Sequence, residues 1–361
     1  MTAPQAADLL PVTVLTGFLG SGKTTLLNAL LRHPGMGETA VLINEFGEIG
    51  LDHLLVEAID DDIVLLNSGC LCCTVRGDLV TAMRDLYFKR VRGLVPEFGR
   101  LLIETTGLAD PAPILHTLMT DPLISSRYRL DGIVTTVDAV NAADQLSRQP
   151  ESVKQAAVAD RLVLTKTDLV EPAALAALED RLHALNPAAP RIRADHGQVE
   201  PSALLDAGLF NPGQKHPDVA RWLSAEAYDD GHGHGHDHDH GHGHDHGHHH
   251  HHHDVNRHDA RISAFTVTFD APLRWEAFVD AMEMLIASKG EDILRLKGLL
   301  NVEGEDAPVV VHAVQHVFHP PASLPAWPDE DRRSKLVFIT RSVNRAPVAD
   351  LLAAALGQKP S

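Results

Sequence analysis

The sequence predicts an α/β chain: a mostly parallel sheet covered by helices, followed by a small α+β domain. Three observations predict it. Short apolar, β-branched runs such as Pro11–Thr16, Thr39–Ile43 and Arg161–Leu164 recur, separated by helix-length segments, which is the alternation a parallel sheet requires. These runs are apolar nearly throughout, as strands buried on both faces are. The alternation fades around Trp222, a low-complexity stretch follows, and strand and helix patterns resume at Arg261. The expected units are therefore residues 1–228, a linker at 229–258 and a second domain at 259–361.

Composition narrows the classes of function. The chain has 361 residues, 44% of them hydrophobic but only 4% aromatic, so its cores lean on Leu, Val, Ile and Ala. A formal net charge of −18 argues against a nucleic-acid partner. No apolar run approaches the roughly 20 residues of a membrane helix. Met1 to Leu10 has neither a basic region nor a signal-peptide core. A soluble, cytoplasmic protein without a membrane partner is expected. The three cysteines, Cys70, Cys72 and Cys73, fall within four residues, a spacing that suits a metal or redox site rather than a disulfide framework.

The first strand, Pro11–Thr16, runs into Gly17-Phe18-Leu19-Gly20-Ser21-Gly22-Lys23-Thr24, which reads G-x-x-x-x-G-K-[ST]. A helix opening follows from Thr25 to Leu31. Strand, glycine loop and helix arrive in the order a phosphate-binding loop needs. Gly17, Gly20 and Gly22 let backbone N–H groups, with Ser21 and Thr25, curl around a phosphate at a helix N-terminus. Lys23 is expected to reach the β- and γ-phosphates, and the Thr24 hydroxyl to ligate Mg²⁺.

The second strand, Thr39–Ile43, opens into a polar, glycine-broken segment, Asn44-Glu45-Phe46-Gly47-Glu48-Ile49-Gly50-Leu51-Asp52. Its place after a strand, just past the glycine-loop helix, is that of a nucleotide-sensing switch, although its acidic residues alone fit an ordinary surface loop. A third strand, Asp62–Asn67, ends at Ser68-Gly69-Cys70-Leu71-Cys72-Cys73. Asp78 to Val91 then shows helical spacing, with Leu79, Met83 and Leu86/Tyr87 on one face. The cysteines thus fall on a strand-to-helix connection at the carboxyl edge of the sheet, where ligands of α/β proteins gather. Cys-x-Cys-Cys is too tight for a zinc ribbon, and adjacent cysteines rarely bridge each other. A thiolate cluster completed from elsewhere suits Zn²⁺ or Co²⁺.

Arg100–Ile103 ends in Glu104-Thr105-Thr106-Gly107. An acidic strand end with a glycine soon after has the form of a Walker B strand. Glu104 is placed either to hold the water shell of Mg²⁺ or to position the attacking water, and Gly107 to offer its N–H to a γ-phosphate. Candidate catalytic residues are Lys23, Glu104 and, in the switch-like segment, Asp52. Gly132–Asp138 and Arg161–Leu164 are two further strands, the second leading into Thr165-Lys166-Thr167-Asp168. This approximates N-K-x-D. A carboxylate at Asp168 accepts both the ring N–H and the exocyclic amine of guanine, and the Lys166 stem lies along the base. Thr165 stands where Asn is usual, which weakens or removes one contact.

Residues 231–253 contain only Gly, His and Asp and hold fourteen of the 24 histidines. With no apolar residue, the stretch is expected to be disordered, and its interleaved composition suits a tract for Zn, Cu, Ni or Co. Beyond it, Arg261–Phe269, Val309–Val314 and Lys335–Ile339 read as strands. Arg274–Ser288 reads as an amphipathic helix with Trp275, Phe278, Val279, Met282, Leu285 and Ile286 on one side. Val348–Leu356 reads as a closing helix. The expected domain is a sheet with helices on one face. His312, His316 and His319 are read as plain strand and loop residues.

Gly17–Thr24, Asn44–Gly47, Gly69–Cys73, Glu104–Gly107 and Thr165–Asp168 occur in the order of the CobW-like metallochaperone GTPases, relatives of the hydrogenase and urease nickel-insertion GTPases. Ile293–Gly298 resembles the opening of that family's C-terminal domain. The resemblance covers nearly the whole chain, and the cysteine motif is its most specific part. It implies a P-loop GTPase domain and a GTP-hydrolysing metallochaperone using GTP and Mg²⁺. Zn²⁺ or Co²⁺ would be held at Cys70, Cys72 and Cys73, with Glu45 as an added ligand, for delivery to a client protein. A nucleotide-dependent dimer is a further expectation. Two other readings stand beside it: a metal buffer or storage protein with a regulatory GTPase, and a cobalt-specific protein of cobalamin synthesis.

Overall fold

The computed structural model describes residues 9–44, 64–68, 75–205, 262–318 and 320–361. Strands β1 (Leu10–Gly17), β2 (Thr39–Asn44), β3 (Val64–Ser68), β4 (Arg100–Glu104), β5 (Tyr128–Asp138), β6 (Arg161–Thr165) and β7 (Arg191–Arg193) form one sheet. Their order is β3-β2-β4-β1-β5-β6-β7, and every pairing is parallel. Neighbouring side chains on these strands go to opposite cores. Val14, Leu42, Leu101 and Ile103 join one with α2 (Val75–Val91), α3 (Ala112–Thr120) and α4 (Pro122–Ser125). Leu15, Val41, Ile43 and Leu102 join the other with α1 (Lys23–Leu31). This two-sided burial is why the runs look apolar without alternation.

Sequence pattern anticipates six of the seven strands. The seventh is three residues long, carries two arginines and lies partly open at the sheet edge, so it has no apolar signature. Strand β5 starts four residues earlier than expected. Its first half contains Arg129 and Asp131, which read as polar, yet Asp131 is buried and accepts a hydrogen bond from the Thr13 hydroxyl at 3.3 Å. Tyr128 is buried alongside and donates its phenol to the Met83 carbonyl at 2.9 Å. The α2 face of Leu79, Met83 and Leu86 is fully buried as the spacing predicts. Helices α5 (Ala142–Arg148), α6 (Pro150–Val158), α7 (Pro172–Leu185) and α8 (Pro201–Leu204) complete this layer.

The second sheet is antiparallel. Strands β8 (Ile262–Phe269), β9 (Ile293–Leu300), β10 (Val309–Val314), β11 (Val317–Phe318), β12 (Ala322–Ser323) and β13 (Ser334–Arg341) run β11-β10-β9-β13-β8, with β12 also on β10. Helices α9 (Trp275–Lys289) and α10 (Arg345–Leu356) cover one face through Phe278, Met282, Leu285 and Leu352. Helix α10 begins before Val348 because Pro347 falls in its first turn, where a missing N–H costs nothing. The other face lies on the first layer: Leu294 and Ile339 share a core with Ala156, Ala157, Leu178 and Leu182 of α6 and α7. The described helices of this domain are thus on one face, as expected, and the first layer supplies the second cover.

Among the described residues no helix is long and apolar enough to cross a membrane. The histidine tract at 231–253 and His319 lie outside the described residues.

Candidate functional site

The parallel order sends the carboxyl ends of β1, β4, β5 and β6 to one edge, and the glycine loop sits at its centre. Gly17 has φ +142°, and a Cβ there would stand 2.2 Å from the Thr136 hydroxyl oxygen, so only glycine fits. Gly20 and Gly22 also have left-handed φ, and Gly22 is the N-cap of α1. The space above Gly20 is open. Lys23 folds over the loop and donates to the carbonyls of Gly17 (3.0 Å) and Phe18 (3.3 Å). The Thr24 hydroxyl donates to Glu104 Oε1 at 3.1 Å, which joins the start of α1 to the end of β4. Glu104 is buried and Thr25 is exposed on the first turn of the helix.

Three ties fix the loop to its neighbours. Ser21 Oγ lies 2.7 Å from Thr136 Oγ1, and the Thr136 hydroxyl donates to the Thr16 carbonyl at 3.2 Å, so Ser21 is the donor between them. Thr165 donates to the Ser21 carbonyl at 2.8 Å. Where the N-K-x-D pattern has Asn, Thr165 fastens β6 to the glycine loop from a buried position. Lys166, in the left-handed region at φ 56°, donates to the Gly20 carbonyl (2.8 Å) and to Asp138 Oδ2 (2.7 Å). Asp168 follows two residues later with its side chain exposed.

Gly107 approaches the loop from the other side: a Cβ there would stand 2.6 Å from the Leu19 backbone nitrogen. Thr105 anchors the same turn, its N–H donating to the Leu15 carbonyl at 2.9 Å and its hydroxyl to Thr16 Oγ1 at 2.8 Å.

Several residues that shape this edge carry no motif. Asp138, at the end of β5, accepts from Lys166, from the Asn141 amide at 2.8 Å and from the Val140 N–H at 2.9 Å. Burial opposes its ionisation, but these donors win and hold its carboxyl below the usual range. An acid ending a buried strand was its only signal in the sequence. Gln155 of α6 is buried and donates to the carbonyls of Gly107 (3.2 Å) and Ala109 (3.0 Å), which holds the turn after β4. Gly197, at φ +82° in the turn after β7, packs on Thr25, where a Cβ would meet the Thr25 carbonyl oxygen at 3.0 Å.

Glu45, Asp52, Cys70, Cys72 and Cys73 lie outside the described residues. The elements flanking them do not: β2 ends at Asn44 and β3 at Ser68, at the same edge as the glycine loop, and α2 begins at Val75. Among the described residues no group of three or more His, Cys, Asp or Glu is arranged to hold a metal ion.

Residues 11–193 match the sequence profile described as the CobW/HypB/UreG nucleotide-binding domain, and residues 262–356 that of the cobalamin synthesis protein CobW C-terminal domain. The chain is 32% identical over 332 residues to the zinc chaperone YjiA of Escherichia coli K12, covering 91% of this chain and 93% of that protein. It is 30% identical over 355 residues to the zinc-regulated GTPase metalloprotein activator 1 of Schizosaccharomyces pombe, covering 94% and 84%. The crystal structure of the Zn(II)-bound YjiA GTPase from E. coli superposes with a TM-score of 0.66 at 26% identity, over 96% of this chain and 99% of that one.

Proposed function

The chain belongs to the CobW/HypB/UreG family, with a CobW C-terminal domain behind its nucleotide-binding domain, and from that premise we propose that it is a GTP-hydrolysing zinc metallochaperone. One observation carries the proposal. The strands entering and the helix leaving the segments with Glu45, Cys70, Cys72 and Cys73 end at the edge where the glycine loop, Glu104 and Gly107 converge. That the described ends of these segments lie at the edge of the glycine loop supports a metal site coupled to the nucleotide.

Thr24 and Glu104 are the pair to hold Mg²⁺, which when bound neutralises charge between the β- and γ-phosphates. Lys23, released from the Gly17 and Phe18 carbonyls, faces the same phosphates. Backbone N–H groups around Gly20, Ser21, Gly22 and Thr25 cradle them. Lys166, held by Asp138, supports the base while Asp168 reads guanine, with Thr165 fixing the loop beneath. Gly107 senses the γ-phosphate, and Asp52 and Glu104 are the candidates to orient water. Cys70, Cys72 and Cys73, with Glu45, take Zn²⁺ or Co²⁺ as cargo, and the histidine-rich tract at 231–253 gathers further metal. The client is a metal-dependent protein in the cytoplasm, and a nucleotide-dependent dimer is a route to release.

The test is a chelator-competition titration with a non-hydrolysable GTP analogue and with GDP, on protein lacking residues 231–253. Metal is expected to bind about 5–150-fold tighter with the GTP analogue, and Zn²⁺ compared with Co²⁺ names the cargo. Equal affinities in the two states would overturn nucleotide-driven release and favour a buffer with a regulatory GTPase.

A further inference from the structure

We propose that Gln315, in the C-terminal domain, is a positioning residue for GTP hydrolysis: through Asp110 it sets the turn that carries Gly107. The inference rests on the reading of Gly107 as the γ-phosphate contact, and it makes the second domain part of the hydrolytic apparatus. Gln315 lies in the two-residue turn between β10 and β11, closed by the pairing of Val314 with Val317. Its Nε2 donates to Asp110 Oδ2 at 3.3 Å, across 205 positions of sequence. Lys154 of α6 donates to the same oxygen at 2.8 Å. The other oxygen of Asp110 accepts from the Ala112 N–H at 3.0 Å, at the start of α3. Asp110 is three residues beyond Gly107, so one carboxylate ties the exit of the Gly107 turn to α6, to α3 and to the second domain.

Gln315 holds this contact at a backbone cost. Its φ of 52° is in the left-handed region, at the first position of a two-residue hairpin turn. Glycine or asparagine is favoured there, and a residue with a longer side chain is uncommon. Glycine has no side chain to offer Asp110, and asparagine is one methylene shorter. Strained residues of this kind cluster where the strain serves function. The flanks are firm: Val314 and Val317 are buried in one core with Ile114, Leu115 and Leu118 of α3.

The turn itself is gripped from α6. Gln155 spends its amide N–H groups on the carbonyls of Gly107 (3.2 Å) and Ala109 (3.0 Å), while its Oε1 is buried with no hydrogen-bond partner. An unmet buried acceptor is costly, so the hold on the turn is what this side chain contributes. The C-terminal end of α6 is in turn held by the second domain. Arg295 donates to the Val158 carbonyl and to Asp160, and Leu294 packs with Ala156 and Ala157. The C-terminal domain therefore acts on the Gly107 turn directly through Gln315 and again through α6. With Gly107 packed on the Leu19 backbone, a small displacement of the turn alters its approach to the phosphates, and rates respond steeply to such displacements.

Steady-state GTP hydrolysis by the full-length chain, with kcat and KM determined separately, tests this. Gln315→Asn accepts the left-handed φ but falls short of Asp110. It is expected to lower kcat by roughly 2–30-fold with KM little changed. Gln315→Arg restores a donor with the reach for Asp110 Oδ2 and is expected to return kcat close to that of the unmodified chain. Melting curves establish that both variants fold. An unchanged kcat in Gln315→Asn overturns the proposal. So does an equal loss in both variants, which marks a local effect of the hairpin, or a raised KM at constant kcat, which marks ground-state binding. Gly107→Ala is measured beside them. If it lowers kcat and Gln315→Asn does not, the γ-phosphate reading stands and the link to the second domain falls; a normal rate in Gly107→Ala removes both.

Discussion

Lys297 places its ammonium 2.9 Å from Asp160 Oδ1, joining the second sheet to the first through a pair of nearly fully buried charges. Arg295, two residues earlier on β9, donates to the same oxygen and to the Val158 carbonyl. Asp160 also accepts from the Ile133 N–H at 2.9 Å. Burial opposes the ionisation of Asp160, but Arg295 and Lys297 hold its carboxyl far below the usual range. One acid thus serves two cations, and Asp160→Asn would leave them facing each other without a counter-charge. The expected loss of stability is about 3–5 kcal/mol. It is read by urea unfolding, and a loss below 1 kcal/mol would contradict this account.

The same cluster predicts a dependence on alkaline pH. Burial and the neighbouring Arg295 lower the Lys297 pKa from 10.5 to about 8, against the pull of Asp160; Arg161 adds to the lowering. Between those values the unfolded chain binds the proton that the folded chain has released, so stability contributed at this residue rises with pH from about 8 to 10.5. Unfolding free energies of the unmodified chain and of Lys297→Met, compared across that window, isolate the effect. The difference should move in favour of the unmodified chain as pH rises, and a flat difference would refute it.

Gly107→Ala is expected to cost activity more than stability. Its methyl would meet the Leu19 nitrogen at 2.6 Å, backbone against backbone, so the turn after β4 must withdraw from the glycine loop. A displacement of this kind lowers turnover by roughly 100-fold. Steady-state GTP hydrolysis measures it, and a near-normal rate would show that the turn does not act on the γ-phosphate.

Lys23→Ala removes the cation that bridges the loop carbonyls and is expected to abolish nucleotide binding in a fluorescent-analogue titration. Retention of ordinary affinity would place the phosphates elsewhere.

Base preference separates Asp168 from Asp138. Asp168→Asn should relax the preference for GTP over ATP by about 1–3 kcal/mol, the size of a lost buried hydrogen bond. Asp138→Ala frees Lys166 from its 2.7 Å partner and should weaken both nucleotides, with less change in their ratio. Competition binding with GDP and ADP tells these apart.

What the sequence made legible follows from what motifs record. The glycine loop, Glu104 and Lys166 announce themselves because phosphate and guanine chemistry demands fixed residues at fixed spacing. Asp160, Arg295 and Lys297 did not, because a charge in or beside a strand reads as a solvent-facing position until the opposing charge is seen across the seam. Gln155 was silent, and Asp138 showed only as an acid at a strand end, for a related reason: each acts on the backbone or side chain of a distant residue, and no local pattern encodes that distance. Glu45, Asp52 and the three cysteines remain readings of the sequence alone.

The register of β1 has a consequence for how the protein is made. Val14 pairs with Ile103 on one side and with Ile133 on the other, so β1, made before both of its neighbours, has no sheet partner until β4 and β5 have followed. At about 5–20 residues per second, the glycine loop waits on the order of 10 s of synthesis before Gly107 and Thr136 can close around it. During that interval an apolar strand with two unpaired edges is exposed, a state prone to aggregation. Slowing translation before β5 should therefore lower soluble yield more than the same delay placed after β6.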